Sequence, residues 1–434
     1  AMGARSEFGF CDAVDFTPAR LPEGSRWAVV RNVMAHHQGM SLLAVANCLM
    51  EGIHRDRFHS DAVIESVSTL LQYRAPREVS ALLRDGLVLR PAGATEPGSG
   101  EVVGVPDTRT APHTVAVMSN GRTSLMLDAT GAGRLRRGPT AITRWRPDPA
   151  DDGWGEFVFL RDAATGRWWS ATAAPCFDPE IACSARLFDY KANFTASGNG
   201  ILADTEVILS DDLDARGTRI KLRNVSDQVR QIELTSHGEI VLDDLGADRA
   251  HTVFSRMFVA TEAQPENGRI LARRNKRNPG EPDRHLMHLV TGAGVTTGAT
   301  TDRRAFIGRG RTLRAPLAMV DPATRSQPPA GEDFTLDPIF SLTRRVTLDP
   351  GKEAVVSFWT VFAEGREALD DAHRRLADEG AHDLEHHMAW TRSRVQLHHA
   401  GITPDEAALF RRYAALLVWP NEALNPHRKG TGMG

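Results

Sequence analysis

Apolar and polar positions change their period twice along the chain. Leu42, Leu43, Ala46, Leu49, Met50 and Ile53 recur at the three-and-four spacing that predicts a helix with one buried face. A second helix is expected over Val63, Ile64, Val67, Leu70 and Leu71, with Asp61 as its cap. Arg74-Ala75-Pro76-Arg77 would end it, because proline cannot continue the hydrogen-bond ladder. The segment from Pro91 to Gly100 is rich in proline, glycine and small polar residues, the composition of a linker.

From Thr114 to Ala363 the pattern becomes short alternating runs divided by turn residues. Val115–Met118 and Ser124–Leu127 flank Asn120-Gly121, a strong hairpin signal. Further strands are expected at Phe157–Leu160, Arg186–Tyr190, Thr205–Leu209, Arg219–Arg223, Gln231–Thr235 and Val355–Val361. Many short strands with no helices between them predict a large antiparallel sandwich. From Glu364 the helical period returns through Ala368, Leu369, Ala372, Leu376, Leu384 and Met388, with a break at Gly380. Thr403-Pro404-Asp405-Glu406 opens one more helix with a hydroxyl cap and a proline at its first position.

Composition narrows the function classes. A chain of 434 residues has room for two or three domains, and 41% hydrophobic with 25% charged residues is ordinary for globular protein. The formal net charge of −3 argues against a nucleic-acid partner. No run of about 18 apolar residues predicts a membrane span, and the first residues show no signal-peptide pattern. Cys11, Cys48, Cys176 and Cys183 form no Cys-x-x-Cys pair and no zinc spacing, so free thiols in a reducing compartment are expected. Both ends look cut: the chain starts on alanine and stops in a glycine-rich tail.

Candidate chemistry concentrates in three places. His36, His37 and Gln38 put donors and acceptors at the mouth of the first apolar helix, which suits a pocket for a polar ligand. The plainer alternative is a pair of core histidines satisfied by backbone carbonyls. Arg144 and Trp145, with Trp154 nearby, offer indole faces for sugar C–H groups and guanidinium groups for hydroxyls; a structural loop is the alternative. Arg303, Arg304, Arg309 and Arg311 flank Gly308 and Gly310, a weak phosphate-grip signal set against a structural salt-bridging role. The pairs Asp151-Asp152, Asp211-Asp212 and Asp243-Asp244 sit beside turn residues and are expected to be solvated loops. His386-His387 and His398-His399 lack the i, i+4 spacing of a helical metal site, so a solvated or interhelical role is expected.

Two long motifs carry a resemblance. Gly9-Phe10-Cys11-Asp12-Ala13-Val14-Asp15-Phe16-Thr17-Pro18-Ala19-Arg20-Leu21-Pro22-Glu23-Gly24, followed by Met34-Ala35-His36-His37-Gln38-Gly39-Met40, resembles the end of the glycoamylase-like domain of bacterial cyclic β-1,2-glucan synthases. Met118–Arg122, Thr143–Arg146, Trp154-Gly155, Thr301–Arg311 and Leu336–Leu342 resemble the amino-terminal sandwich of the cellobiose-phosphorylase type that follows it in those synthases. One departure is Val33, where the family has a tyrosine.

The resemblance implies a mainly β chain: an antiparallel super-sandwich of the glycoside phosphorylase type. Residues 1–90 would be the last helices of an (α/α) barrel, 91–113 a linker, 114–363 the carbohydrate-binding sandwich, and 364–434 a helical linker towards a catalytic barrel expected to be missing. It also implies a β-glucan oligosaccharide as partner, with phosphate as a second candidate, and a parent protein at the cytoplasmic face of the inner membrane. His36, His37, Gln38, Arg144, Trp145, Trp154, Arg309 and Arg311 are the expected substrate-binding residues. No catalytic residue, metal or cofactor is assigned. The competing expectation is a non-catalytic carbohydrate-binding or scaffolding module.

Overall fold

A computed structural model describes residues 3–6, 9–17, 21, 24–31, 34–61, 64, 103–108, 114–146, 154–325, 331–403, 405–410 and 413. The chain divides into two compact units, Ala1–Val88 and Leu89–Gly434.

In the first unit, strands β1 (Arg5–Ser6) and β2 (Gly9–Phe10) pair antiparallel, as do β3 (Ala13–Asp15) and β4 (Ala28–Val30). Helices α1 (Ala35–Leu49) and α2 (Ile53–His59) follow. The apolar stripe is therefore not one continuous helix to Ile53. Glu51 (φ 54°) and Gly52 (φ 89°) both adopt the left-handed conformation, which ends one helix and starts the next. None of the residues of α1 is buried, and Leu42 and Leu49 are 72% and 78% exposed. The Ile64 amide donates to the Asp61 carboxylate at 3.4 Å, as a cap would. Val33, the rest of that expected second helix and residues 91–100 lie outside the described residues.

The second unit is mainly β. It runs through β5 (Val103–Val105), β6 (Val115–Ser119), β7 (Thr123–Asp128), β8 (Gly133–Arg137) and β9 (Thr140–Thr143). A hairpin follows, β10 (Phe157–Asp162) and β11 (Trp168–Ser170). Then comes a meander of β12 (Ala182–Leu187), β13 (Lys191–Gly198), β14 (Ile201–Leu209) and β15 (Ala215–Asn224). The long β16 (Arg230–Asp244) leads into short helices α3 (Leu245–Ala250) and α4 (Thr252–Arg256). Next are β17 (Val259–Gln264), β18 (Arg269–Arg274), β19 (Arg284–Gly292), β20 (Val295–Asp302) and helices α5 (Arg303–Ile307) and α6 (Leu317–Val320). The unit continues with β21 (Glu332–Asp333), β22 (Pro338–Leu348), β23 (Glu353–Ala363), α7 (Arg366–Leu376) and α8 (Ala381–Ala400).

Two antiparallel sheets result. One runs β11-β10-β16-β9-β8-β7-β6, with β22 and β20 extending from β16; the other runs β21-β17-β18-β19-β23-β15-β14-β13-β12-β5. Alternation explains the facing: β13 turns Ala192, Phe194 and Ala196 inward and Asn193 and Thr195 away. The two inner faces meet in a core of Leu125, Leu127, Ile142, Leu160, Ile220, Leu234 and Phe340, all fully buried. Each such side chain stabilises the fold by roughly 1.5–3 kcal/mol. Gly238 on β16 sits opposite Phe340, where a Cβ would lie 2.2 Å from the ring, so only glycine fits that approach.

Helices cover the far face of the larger sheet. Leu369, Ala372 and Leu376 of α7 pack on Leu289, Trp359 and Val361. This explains the eight consecutive buried residues at the end of β23: the strand is covered on both sides. At the last described helix, Thr403 and Glu406 form a reciprocal capping box, with Thr403 N to the carboxylate at 2.8 Å and Glu406 N to Thr403 Oγ1 at 3.3 Å.

Two expectations are corrected. Helices α3 to α6 do interrupt the strands, at four to six residues each, which is too short to leave a period in the sequence. The stretch read as linker contributes β5, which pairs with β12 through Val105 opposite Ala185. Among the described residues no helix is long and apolar enough to cross a membrane.

Candidate functional site

In the first unit the site forms where α1 begins. Its cap residue, Met34, has no side chain able to bond the first-turn amides. Asp12, brought in by the turn after β2, anchors the cap residue itself: its Oδ1 accepts from Met34 N at 3.1 Å. The same oxygen lies 3.0 Å from His37 Nδ1, and the Asp12 side chain is only 5% exposed against 43% for His37. Gln38 Nε2 donates to the Phe10 carbonyl at 3.0 Å, and the His36 ring meets His37 edge-on at 4.1 Å. His36 is exposed, and His37 and Gln38 are half-buried. Here a carboxylate from one motif orients an imidazole from the other. Asp12 lay inside the first motif, but nothing in its spacing marked it as the partner of His37.

In the sandwich the expected cluster divides. Arg144 is 3% exposed and saturated: Nη1 reaches Glu239 at 2.7 Å and Nη2 reaches Asp248 at 2.6 Å. Trp145 is 5% exposed and packs on Val115 and Met126, with the Arg134 guanidinium 5.3 Å from its ring. Neither presents a free face, because an arginine at this depth must be paired with acid. This corrects the expectation that Arg144 and Trp145 touch substrate directly. Trp154 remains half-buried beside Arg146, 5.6 Å from its ring, and its indole Nε1 has no partner among the described residues. Residues 147–153 lie outside the described set.

Glu239 is the hub the sequence did not reveal. It accepts from Arg144, from Arg303 Nε at 2.6 Å and from Arg256 Nη2 at 3.2 Å. Burial pushes this carboxyl up, but Arg144, Arg303 and Arg256 outweigh it and hold it at about 2. Arg303 therefore turns inward, whereas Arg309 and Arg311 stay exposed on the following loop, Arg311 donating to the Ala315 carbonyl at 3.3 Å. The four arginines do not converge.

Asp212 and Asp244 are exposed as expected, but Asp211 and Asp243 are not solvated loop acids. Asp243 is 9% exposed and bonds Arg274 at 2.6 Å and Ser255 at 2.8 Å, while Asp244 caps α3. Asp211 holds Arg392 at 2.7 Å. Asp151 and Asp152 lie outside the described residues. His386 stacks on Tyr190 with ring centres 5.7 Å apart and faces Glu206 at 3.5 Å, so it seats against the sheet, whereas His387, His398 and His399 are exposed as expected.

Glu206 and Glu233 are also drawn below the usual carboxylate range. Burial works upward on both, but Lys191 and the nearby histidines overcome it at Glu206, and Arg345 and Arg325 at Glu233. A general acid for glycoside chemistry needs the opposite displacement. A polar chain also crosses the core: Ser236 Oγ to His288 Nε2 at 2.8 Å, His288 Nδ1 to Thr360 at 3.1 Å, and Thr360 donating to Glu156 at 2.7 Å. The cavity beside it, about 20 Å³, has room for a single water and not for a sugar.

Two facing antiparallel sheets with helices on the outer face define the class, a supersandwich. The chain belongs to the glycosyl hydrolase 94 family through its supersandwich domain, matched over residues 101–379. It is 44% identical over 97% of its length to the cyclic beta-(1,2)-glucan synthase NdvB of Rhizobium meliloti (strain 1021), covering 15% of that protein. It is 26% identical to the N,N'-diacetylchitobiose phosphorylase of Vibrio furnissii, over 28% of this chain and 15% of that protein. The chain thus spans about 15% of the length of these curated relatives. Among solved structures, a bacterial glucoamylase complexed with acarbose aligns at a TM-score of 0.39 and 9% identity, over 69% of this chain and 39% of that one.

Proposed function

We propose that the chain is a glucan-handling segment of a cyclic β-1,2-glucan synthase, in which the sandwich binds or orients glucan and does not itself protonate a glycosidic bond. The observation that carries this reading is the 44% identity to NdvB, because it runs through the His-His-Gln segment and the sandwich alike. The downward displacement of Glu206, Glu233 and Glu239 supports the second half of it. In this reading residues 1–90 are the closing helices of a glycoamylase-like barrel, 91–102 the connection, 103–363 the glucan-binding sandwich including β5, and 364–434 a helical link. His36, His37 and Gln38 line part of a sugar pocket, with His37 fixed by Asp12, and Trp154 is the sandwich residue from the expected set best placed to meet a sugar ring. Arg309 and Arg311 are left as exposed cations available to glucan hydroxyls or phosphate. A cytoplasmic site of action is part of this reading, and it fits cysteines that form no disulfide among the described residues.

A purely scaffolding role is the second reading, favoured by the burial of Arg144 and Trp145. Incubating the chain with β-1,2-linked gluco-oligosaccharides, with and without inorganic phosphate, tests the central claim. The expected outcome is no sugar phosphate and no change in chain length. Measurable phosphorolysis would overturn it.

A further inference from the structure

A cleft of about 320 Å³ lies within the second unit, between the carboxyl-terminal half of α8 and the sandwich edge. One wall is β6 with its hairpin tip, the other is the Asp189-Tyr190 turn between β12 and β13, and the residues after β14 close the base. The volume is at the lower end of those that hold small ligands, roughly 300–1,000 Å³.

Its walls are fixed by contacts that cross from helix to sheet. Arg392 donates to Asp211 at 2.7 Å and to the Asn120 carbonyl at 2.6 Å. Asn120 in turn donates to the carbonyls of Ser210 at 3.0 Å and Leu213 at 3.1 Å, tying the hairpin tip to the base. Ser393 bonds Asp189, and the His386 ring braces Tyr190 from the helix. The polar groups are thus held in place before any ligand arrives, which lowers the ordering cost of binding.

The chemistry of the lining selects a ligand class. Carboxylates at Asp189 and Asp211, a guanidinium at Arg392, a phenol at Tyr190 and an amide at Gln396 offer donors and acceptors in near balance of charge. Leu397 and Ile402 add apolar surface for C–H groups. With Asp211 paired to Arg392, the lining carries no excess of positive charge to hold an anion such as phosphate. We propose that this cleft is a binding site for a short neutral oligosaccharide, a β-1,2-linked glucan segment. The proposal rests on the glucan reading above.

The test is calorimetric titration of the 434-residue chain with β-1,2-linked gluco-oligosaccharides, compared with inorganic phosphate. Two exposed positions are varied: Gln396→Ala removes a polar contact, and Ala400→Trp fills the space. The expected result is binding of the oligosaccharides and not of phosphate, weakened at least fivefold by Gln396→Ala and abolished by Ala400→Trp, with unchanged circular dichroism. Wild-type affinity in both variants would overturn the site while leaving the glucan reading intact. No binding of any oligosaccharide by the unmodified chain would overturn both, and binding of phosphate in their place would overturn the ligand class.

Discussion

Helices α1 and α7 carry the same kind of apolar spacing and end in opposite environments. Leu369, Ala372 and Leu376 of α7 are buried on the outer face of the larger sheet. Leu42 and Leu49 of α1 stand in solvent, and the contacts that fix α1 are polar ones, Asp12 to Met34 and Gln38 to Phe10. A three-and-four repeat therefore specifies a face and says nothing of what the face meets. For α7 that partner surface is the outer face of the larger sheet. The difference extends to ionisable groups. The sandwich buries His237, His288 and His382, whereas His36 is exposed and His37 half-exposed.

Acid should separate the two regions most strongly. Burial pushes His237 down to about 4, His288 to about 3, helped by Arg216, and His382 to about 3, helped by Arg219, from an ordinary value of 6.5. The unfolded chain then takes up protons that the folded sandwich refuses. Its stability is complete above pH 6.5 and falls as pH drops from there towards 3, by about 1.4 kcal/mol per proton per pH unit. Glu239, held at about 2, adds a further loss between 4.5 and 2. Hydrogen exchange at pH 7 and pH 4.5 is expected to show sandwich amides losing protection while α1 amides, corrected for intrinsic rate, stay unchanged. Equal protection of the sandwich at both pH values would contradict the burial of these rings.

Next in size is the hub. Glu239→Ala leaves Arg144, Arg303 and Arg256 short of a shared acceptor in a buried position, and is expected to cost about 3–5 kcal/mol in urea unfolding. A loss below about 1 kcal/mol would mean that water reaches these guanidinium groups and that the interior is less closed than the contrast with α1 requires.

The sequence pattern made the fold class legible and left most of the site unread. The short apolar runs of β6, β7 and β10 and the Asn120-Gly121 turn announce an antiparallel sandwich, because strand runs and turn chemistry are local properties. The pairing of β16 with both β10 and β22, and the seat of α8, depend on contacts about 70 to 175 residues apart that no local period encodes. For the same reason Arg144 read as a ligand-binding arginine: its partner Asp248 lies 104 residues on. Asp243 read as a loop acid because Arg274 and Ser255 reach it through the fold. His37 and Gln38 were legible as polar groups at a helix mouth, whereas Asp12 became legible only when the turn after β2 set it under that mouth.

The smallest effect is the most direct test of the comparison. Leu376→Ala on α7 removes a fully buried side chain and is expected to cost about 2–5 kcal/mol, because the sheet cannot close over the space. Leu49→Ala on α1, at 78% exposure, removes almost no contact and should change stability by less than about 0.5 kcal/mol. The two substitutions delete the same atoms from helices of similar pattern, so the ratio of their effects measures partnership alone. A cost at Leu49 approaching that at Leu376 would show that α1 finds an apolar surface in solution, and the two helices would then differ only in which surface covers them.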